Sequence, residues 1–459
     1  MKNMTLETLA TVCGGTLYYG EEKAKREVEG VVLDSRLVEK DYLFLATKGE
    51  RVDGHRFIPD VFEKGALAVV CEVLPEEPLG PCILVRDSFR ALTDMAAFYR
   101  SNLNVKIVGI TGSVGKTSTK EFIAGVLSQR FSVLKTSGNF NNEVGVPLTL
   151  LRIREEHEIA VVEMGINHFG EMQRLSRLVK PDVAVMTNIG MCHLENLEDR
   201  DGVLRAKSEI FEHMNPEGIV VVNGDDDKLC SIAKVHGKKP IRFGLKETDG
   251  LDYFTDDIEN KGLLGSRFVI CDKTGNRKEA EVPLPGVHMI YNALAATAVG
   301  KHFGMQEDEI VKGLKECRAV SGRSNIIALP EATVIDDCYN ANPTSMKAAI
   351  DLLTTAMTAK VAILGDMFEL GEEENSLHRE IGVYAAEKKI DLLLCVGALS
   401  RNMYEGAKEA SEGVYYFATR DECMEALEEL VPGGSSILVK ASHGMAFDAI
   451  VKKLEDIFG

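Results

Sequence analysis

The sequence predicts an α/β protein of three domains, with a phosphate-binding loop in the middle one. Three observations predict this. Apolar runs of strand length alternate with helical patterns along most of the chain, which favours mostly parallel sheets. A Gly-rich turn joins one such run to a helix at Gly109–Thr117. And 459 residues are more than one ordinary core accommodates.

The first section, 1–102, reads as a small α/β module. Its strand patterns lie at Gly30–Asp34, Tyr42–Ala46, Ala66–Cys71 and Cys82–Arg86, with an amphipathic stretch at Phe57–Lys64. The second, 103–320, opens with a buried-strand pattern at Val105–Ile110 and a helix from about Lys116 to Gln129. Further strands are predicted at Ile159–Glu163, Val183–Asn188 and Ile219–Asn223. From Leu245 to Pro285 the pattern becomes short alternating strands, with turns at Lys261-Gly262 and Thr274-Gly275-Asn276, and suggests a hairpin appendage. The third, 321–459, alternates strands at Thr333–Asp336, Val361–Leu364, Asp391–Val396 and Ser436–Val439 with helices at Thr344–Thr354, Ser376–Lys388 and Met445–Phe458. It predicts a Rossmann-like, doubly wound sheet with ligands at the C-terminal ends of its strands.

Composition narrows the function. The net charge of -18 argues against a general surface for nucleic acid, so an anionic ligand must meet a local cluster of cations and backbone N–H groups. The longest stretch free of ionised residues, Val282–Gly300, is broken by Pro283, Pro285, His288 and Asn292, which speaks against membrane insertion. The 10 Cys are scattered without a C-x-x-C pair, and Met1–Gly14 lacks a secretion pattern. A cytoplasmic protein with reduced thiols is expected.

Gly112-x-x-Gly115-Lys116-Thr117 follows a strand and opens a helix, so Gly112, Ser113, Val114, Gly115, Lys116, Thr117 and Ser118 form the predicted nucleotide cradle. Lys116 offers a point charge to the phosphates, and the Thr117 hydroxyl can ligate Mg²⁺. The usual spacing would place a Gly at position 110, where this chain has Ile110.

Thr111-Gly-Ser-Val-Gly-Lys-Thr-Ser118, Gly138–Pro147, Glu163–Met172, Asp336–Met346 and Leu364–Gly371 together resemble the Mur ligase family of peptidoglycan synthesis, over essentially the whole length and in three domains. The resemblance implies an ATP-dependent ligase that activates a carboxylate as an acyl phosphate, with ATP and Mg²⁺ as cofactors. Within the family, these stretches are most similar to the member that joins D-alanyl-D-alanine to UDP-N-acetylmuramoyl-tripeptide. Two alternatives stay open: a sister ligase with another amine donor, and a P-loop ATPase switch. A monomer is expected.

The resemblance also implies site residues. Glu163, His193 and Lys207 join Thr117 as metal-site candidates, Lys207 if carbamylated; from spacing alone, His193 and Lys207 read as ordinary surface residues. Asn292 resembles the adenine-contacting Asn, with a helix N-cap as the plain alternative. Arg323 looks like the Arg that reaches the phosphates from the neighbouring domain. Asp337, favoured over Asp336 by alternation, would take the ribose, with Asn340 beside it. Ser35 and Arg36, together with Gly49–Phe57, resemble the UDP-sugar surface. Thr136, Asn139 and Asn142 would hold the sugar-peptide, while Asn342, Lys440 and Ser442 would meet the dipeptide. Lys440-Ala-Ser-His443 departs from the more frequent Lys-Gly-Ser-Arg at Ala441 and His443.

Overall fold

The computed structural model describes residues 1–49, 52–246 and 248–459. Glu50 and Arg51, in the Gly49–Phe57 segment, lie outside the described residues.

Each section builds its own sheet. The first has five strands, in the order Thr16–Tyr18, Cys82–Leu84, Ala68–Cys71, Leu43–Leu45 and Val31–Val32. All pair in parallel except the first, which runs antiparallel to Cys82–Leu84. Sequence patterning missed Thr16–Tyr18, whose burial is weak. The helix Ser88–Ser101 then leads into the second section: its Tyr99 hydroxyl donates to the Ile153 carbonyl at 2.6 Å, and the Arg100 Nε donates to the Val179 carbonyl at 3.1 Å. One apolar cluster runs from Leu6, Leu9 and Met95 through to Val162, Met186 and Val222, so the first section shares a core with one face of the central sheet.

The central sheet has nine strands, in the order Arg277–Val282, Ser266–Asp272, Tyr253–Asn260, Ile241–Phe243, Ile219–Asn223, Val183–Met186, Lys106–Thr111, Ile159–Glu163 and Val133–Lys135. Lys106–Thr111 lies between two parallel neighbours. Chain connections leave it in opposite directions, and such a switch point is where open α/β sheets bind ligands. The other face packs Phe122, Ile123 and Val126 against Ala293, Leu294 and Ala296 of the helix His288–His302. Residues 245–285 are not a free appendage. Their three antiparallel strands continue the sheet, because the short strand Ile241–Phe243 links Tyr253–Asn260 to Ile219–Asn223.

The third sheet orders Asn325–Leu329, Ala332–Asp336, Ser435–Lys440, Lys360–Gly365, Leu392–Val396 and Val414–Phe417. It is parallel apart from the antiparallel edge strand Asn325–Leu329. The two outermost strands, Asn325-Ile-Ile-Ala-Leu329 and Val414-Tyr-Tyr-Phe417, are apolar but short and only half-buried at the sheet edges, and sequence reading passed over both.

Candidate active site

The switch-point strand turns sharply at Gly112. Its φ is +150°, and a Cβ there would lie 1.9 Å from the Thr187 hydroxyl, so only glycine fits. The loop is pinned from the neighbouring strand end: Val114 N donates to Asn188 Oδ1 at 2.9 Å, and the Thr187 hydroxyl donates to the Val114 carbonyl at 2.6 Å. Gly115, at φ +83°, caps the helix Lys116–Leu127. The Lys116 ammonium folds back onto the Gly112 carbonyl at 2.8 Å. Burial, with the nearby Lys207 adding to it, pushes Lys116 down to about 8.

Register sets the next contact. Ile110 is paired with Glu163, so that carboxylate ends its strand beside the loop. Glu163 is 1 % exposed. Its Oε1 accepts from the Thr117 hydroxyl at 3.1 Å and from Asn141 Nδ2 at 2.8 Å. Oε2 is buried without a hydrogen bond, with Lys120 Nζ 3.7 Å away. Lys207 lies on the helix Arg200–Ser208 and is 1 % exposed, overturning the exposed surface position that its helical pattern suggested. Burial lowers its ammonium, opposed only by Cys192. His193 pairs through Nδ1 with Glu369 of the third domain.

From the third domain, Arg323 brings its guanidinium 4.1 Å from the centre of the Tyr339 ring, close enough for its charge to be felt at Lys116. No hydrogen bond occupies that guanidinium among the described residues. The Asp336/Asp337 pair divides as alternation predicted. Asp336 is buried and accepts from Gly322 N at 2.7 Å; Asp337 faces the cavity. Lys440 Nζ donates to Asp337 Oδ2 at 2.6 Å and to the Asn340 carbonyl at 2.9 Å.

Most of these groups line one cavity of about 840 Å³ between the central and third domains, although Lys120, Lys207 and Asp336 are not among its lining residues; the volume is within the usual range for a small-molecule site. The family model for the Mur ligase middle domain matches residues 110–300, that for the Mur ligase glutamate ligase domain 322–443, and that for the Mur ligase catalytic domain 27–97. A Bacillus subtilis relative named UDP-N-acetylmuramoyl-tripeptide--D-alanyl-D-alanine ligase is 37 % identical, with 99 % of each chain covered. The chain belongs to the Mur ligase family. A crystal structure of MurF from Acinetobacter baumannii superposes with a TM-score of 0.87 at 33 % identity, covering 98 % of each chain. A Thermotoga maritima MurF ligase solved with ADP gives 0.80 at 28 % identity, covering 94 % of this chain and 97 % of that one.

The cavity of this Mur ligase gathers Ser113 to Ser118, Glu163, His193, Asn292, Arg323, Asp337, Asn340, Asn142, Asn342, Lys440 and Ser442. Several have tasks other than those expected. Asn292 stands in the second turn of a helix that starts at His288, so it is no N-cap; its Oδ1 accepts from the Thr119 hydroxyl at 2.8 Å. Thr136 is fully buried and supports Glu163, whose N–H donates to its hydroxyl at 3.0 Å, so it is not a surface for the sugar-peptide. Asn342 caps the helix Pro343–Thr354. Ser442 is buried and its hydroxyl accepts Phe368 N–H at 2.9 Å, which leaves its O–H to donate, whereas the Lys440 ammonium is occupied by Asp337 and the Asn340 carbonyl.

Ser35, Arg36 and Asn139 do not line the cavity. Arg36 is exposed on the first domain and forks onto Asp34. Sequence reasoning missed Asn141, Lys120 and Glu369. Asn141 lay inside a recognised motif, yet a run of turn-forming residues hid its partner; Lys120 and Glu369 acquire their neighbours only through tertiary packing.

Proposed function

We propose that this Mur ligase joins D-alanyl-D-alanine to UDP-N-acetylmuramoyl-tripeptide at the expense of ATP. The observation that carries this is the convergence on one cavity of a P-loop lysine, a strand-end carboxylate and an arginine from a different domain. Phosphoryl transfer depends mainly on positioning and charge neutralisation, and Lys116 and Arg323 supply cations from opposite walls. The tripeptide carboxylate attacks the γ-phosphate to give an acyl phosphate and ADP. The dipeptide amine then displaces phosphate, forming the amide. Because Arg323 belongs to the third domain, movement of that domain against the central one would control when its charge meets the phosphates, which limits wasteful hydrolysis.

Mg²⁺ fits beside the P-loop. Glu163 accepts from the Thr117 hydroxyl through Oε1, while its Oε2 is buried without a hydrogen bond, 3.7 Å from Lys120 Nζ; carboxylate and hydroxyl are both hard oxygen donors. Among the described residues no three His, Cys, Asp or Glu side chains form a metal cage. Such a site suits an ion that takes most of its ligands from phosphates and water. The bound ion supplies charge neutralisation at the transferring phosphoryl group. Lys207, buried and with a lowered ammonium, is suited to carbamylation, which would turn it into a further oxygen ligand, with His193 beside the same site.

Asn292 is assigned to adenine, Asp337 and Asn340 to the ribose side, Ser35 and Arg36 to the UDP moiety, and Asn139 and Asn142 to the sugar-peptide. The domains are taken as 1–102, 103–320 and 321–459. A cytoplasmic location accords with ten scattered cysteines, most of them buried, and no helix among the described residues is long and apolar enough to cross a membrane.

Labelling the tripeptide carboxylate with heavy oxygen tests the mechanism. Acyl-phosphate chemistry transfers one label into the released phosphate; unlabelled phosphate would refute it.

A further inference from the structure

The amine that attacks an acyl phosphate arrives as an ammonium ion, and the cavity must hold it. Most carboxylates on the cavity wall are already occupied. Asp337 is neutralised by Lys440, Glu143 by Arg174, and Glu171 accepts the Asn167 and His168 N–H groups. Asp225 Oδ2 accepts from the Tyr291 hydroxyl and from Leu245 N–H, and Asp226 accepts the Ile189, Lys228 and Leu229 N–H groups. Glu163 is buried beside the P-loop.

Glu369 differs. It lines the cavity from the third domain with its side chain 47 % exposed. Among the described residues no Lys or Arg pairs with it. Its Oε2 meets the His193 imidazole, and Oε1 makes no hydrogen bond. Its backbone is held in the left-handed region at φ +63°, and His193 across the cleft stands at φ +52°. Non-glycine residues persist there only when their surroundings impose it, which is common at ligand clamps.

The surroundings do impose it. The loop leaves the strand Lys360–Gly365, and Asp366 takes both the N–H and the hydroxyl of Ser400, at 2.7 and 2.6 Å. Met367 N–H donates to the buried His378 Nε2 at 2.9 Å, and Phe368 N–H donates to the Ser442 hydroxyl at 2.9 Å. Three consecutive residues are thus fixed, and Glu369 follows them into the cavity. A docking group held in this way loses little entropy on binding.

We infer that Glu369 is the docking residue for the ammonium group of the incoming dipeptide, holding it on the third-domain wall opposite the P-loop. This rests on the ligase function proposed above. The rival role for Glu369 is a plain interdomain latch to His193.

The test uses the full-length enzyme with ATP and UDP-N-acetylmuramoyl-tripeptide, varying D-alanyl-D-alanine for wild type, Glu369→Gln and Glu369→Ala. A charged hydrogen bond lost from the substrate raises the dipeptide KM roughly ten- to hundred-fold, with the KM values for ATP and tripeptide little changed. A dipeptide analogue lacking the amino group, used as a competitive inhibitor, binds wild type and Glu369→Gln alike. If the analogue weakens in parallel with the dipeptide, or if the dipeptide KM is unchanged while wild type ligates, the inference is overturned. If wild type itself forms no amide, the fault lies with the ligase assignment instead.

Discussion

The Thr117 hydroxyl donates to Glu163 Oε1 at 3.1 Å, joining the residue after the P-loop lysine to the end of the neighbouring parallel strand. That contact exists because the register sets Ile110 opposite Glu163. The carboxylate's other oxygen is left buried without a hydrogen bond, 3.7 Å from the Lys120 ammonium. Replacing Glu163 by Gln keeps the shape and removes the charge. Substrate-dependent phosphate release should fall about a hundred- to a thousand-fold, with a raised Mg²⁺ requirement in a metal titration. A variant with wild-type turnover would remove Glu163 from the site.

Gly112→Ala drives a methyl group into the Thr187 hydroxyl at a φ of +150°. Backbone strain of this kind costs about 1–3 kcal/mol, and the loop must shift to relieve it. A lower melting temperature and weakened ADP binding by calorimetry are expected together.

The Lys440–Asp337 pair is nearly buried, with side chains 3 % and 14 % exposed. Lys440→Met leaves Asp337 without its cation, and breaking such a pair costs about 3–5 kcal/mol. Urea unfolding measures that loss. A purely dipeptide-binding lysine would raise KM and leave the unfolding midpoint where it was.

His378 is fully buried, with Nε2 accepting Met367 N–H and Nδ1 against the Glu374 carbonyl at 2.6 Å. Burial lowers its pKa below the usual 6.5, partly opposed by the Glu374 carbonyl bond and the Asp366 charge. The unfolded chain therefore takes up the proton first. The stability this histidine contributes is complete above pH 6.5 and declines as pH falls below it, by at most about 1.4 kcal/mol per unit. His378→Gln should show a shallower fall in unfolding free energy between neutral and acid pH. Parallel curves for the two proteins would contradict the assignment.

If Lys207 is carbamylated, the modification depends on CO₂ and on the neutral amine that burial favours. Carbon-13 NMR of enzyme equilibrated with labelled bicarbonate should show a carbamate signal that Lys207→Arg lacks. Its absence from active wild-type enzyme would leave Lys207 as a buried amine.

Much of the fold could be read in advance because its inner strands are continuous apolar runs, such as Val183–Met186 and Leu392–Val396. The strands missed, Thr16–Tyr18, Val133–Lys135, Ile241–Phe243, Asn325–Leu329 and Val414–Phe417, are only three to five residues long and mostly half-buried, and all but Ile241–Phe243 lie at a sheet edge, so no long buried run announces them. The P-loop and Glu163 were legible because a loop flanked by a strand and a helix constrains its own geometry. The motif of Lys440 fixes its position, but Asp337, 103 residues earlier, decides what its ammonium touches. Glu369 and Lys120 take their meaning from neighbours that local patterning does not connect.

The central claim is tested most directly by phosphate release from ATP and Mg²⁺, with UDP-N-acetylmuramoyl-tripeptide and D-alanyl-D-alanine supplied singly and together, and the product weighed by mass spectrometry. Phosphate release and a UDP-pentapeptide that appear only with both substrates are the predicted result. ATP turnover indifferent to either substrate, or no pentapeptide with both present, would contradict it.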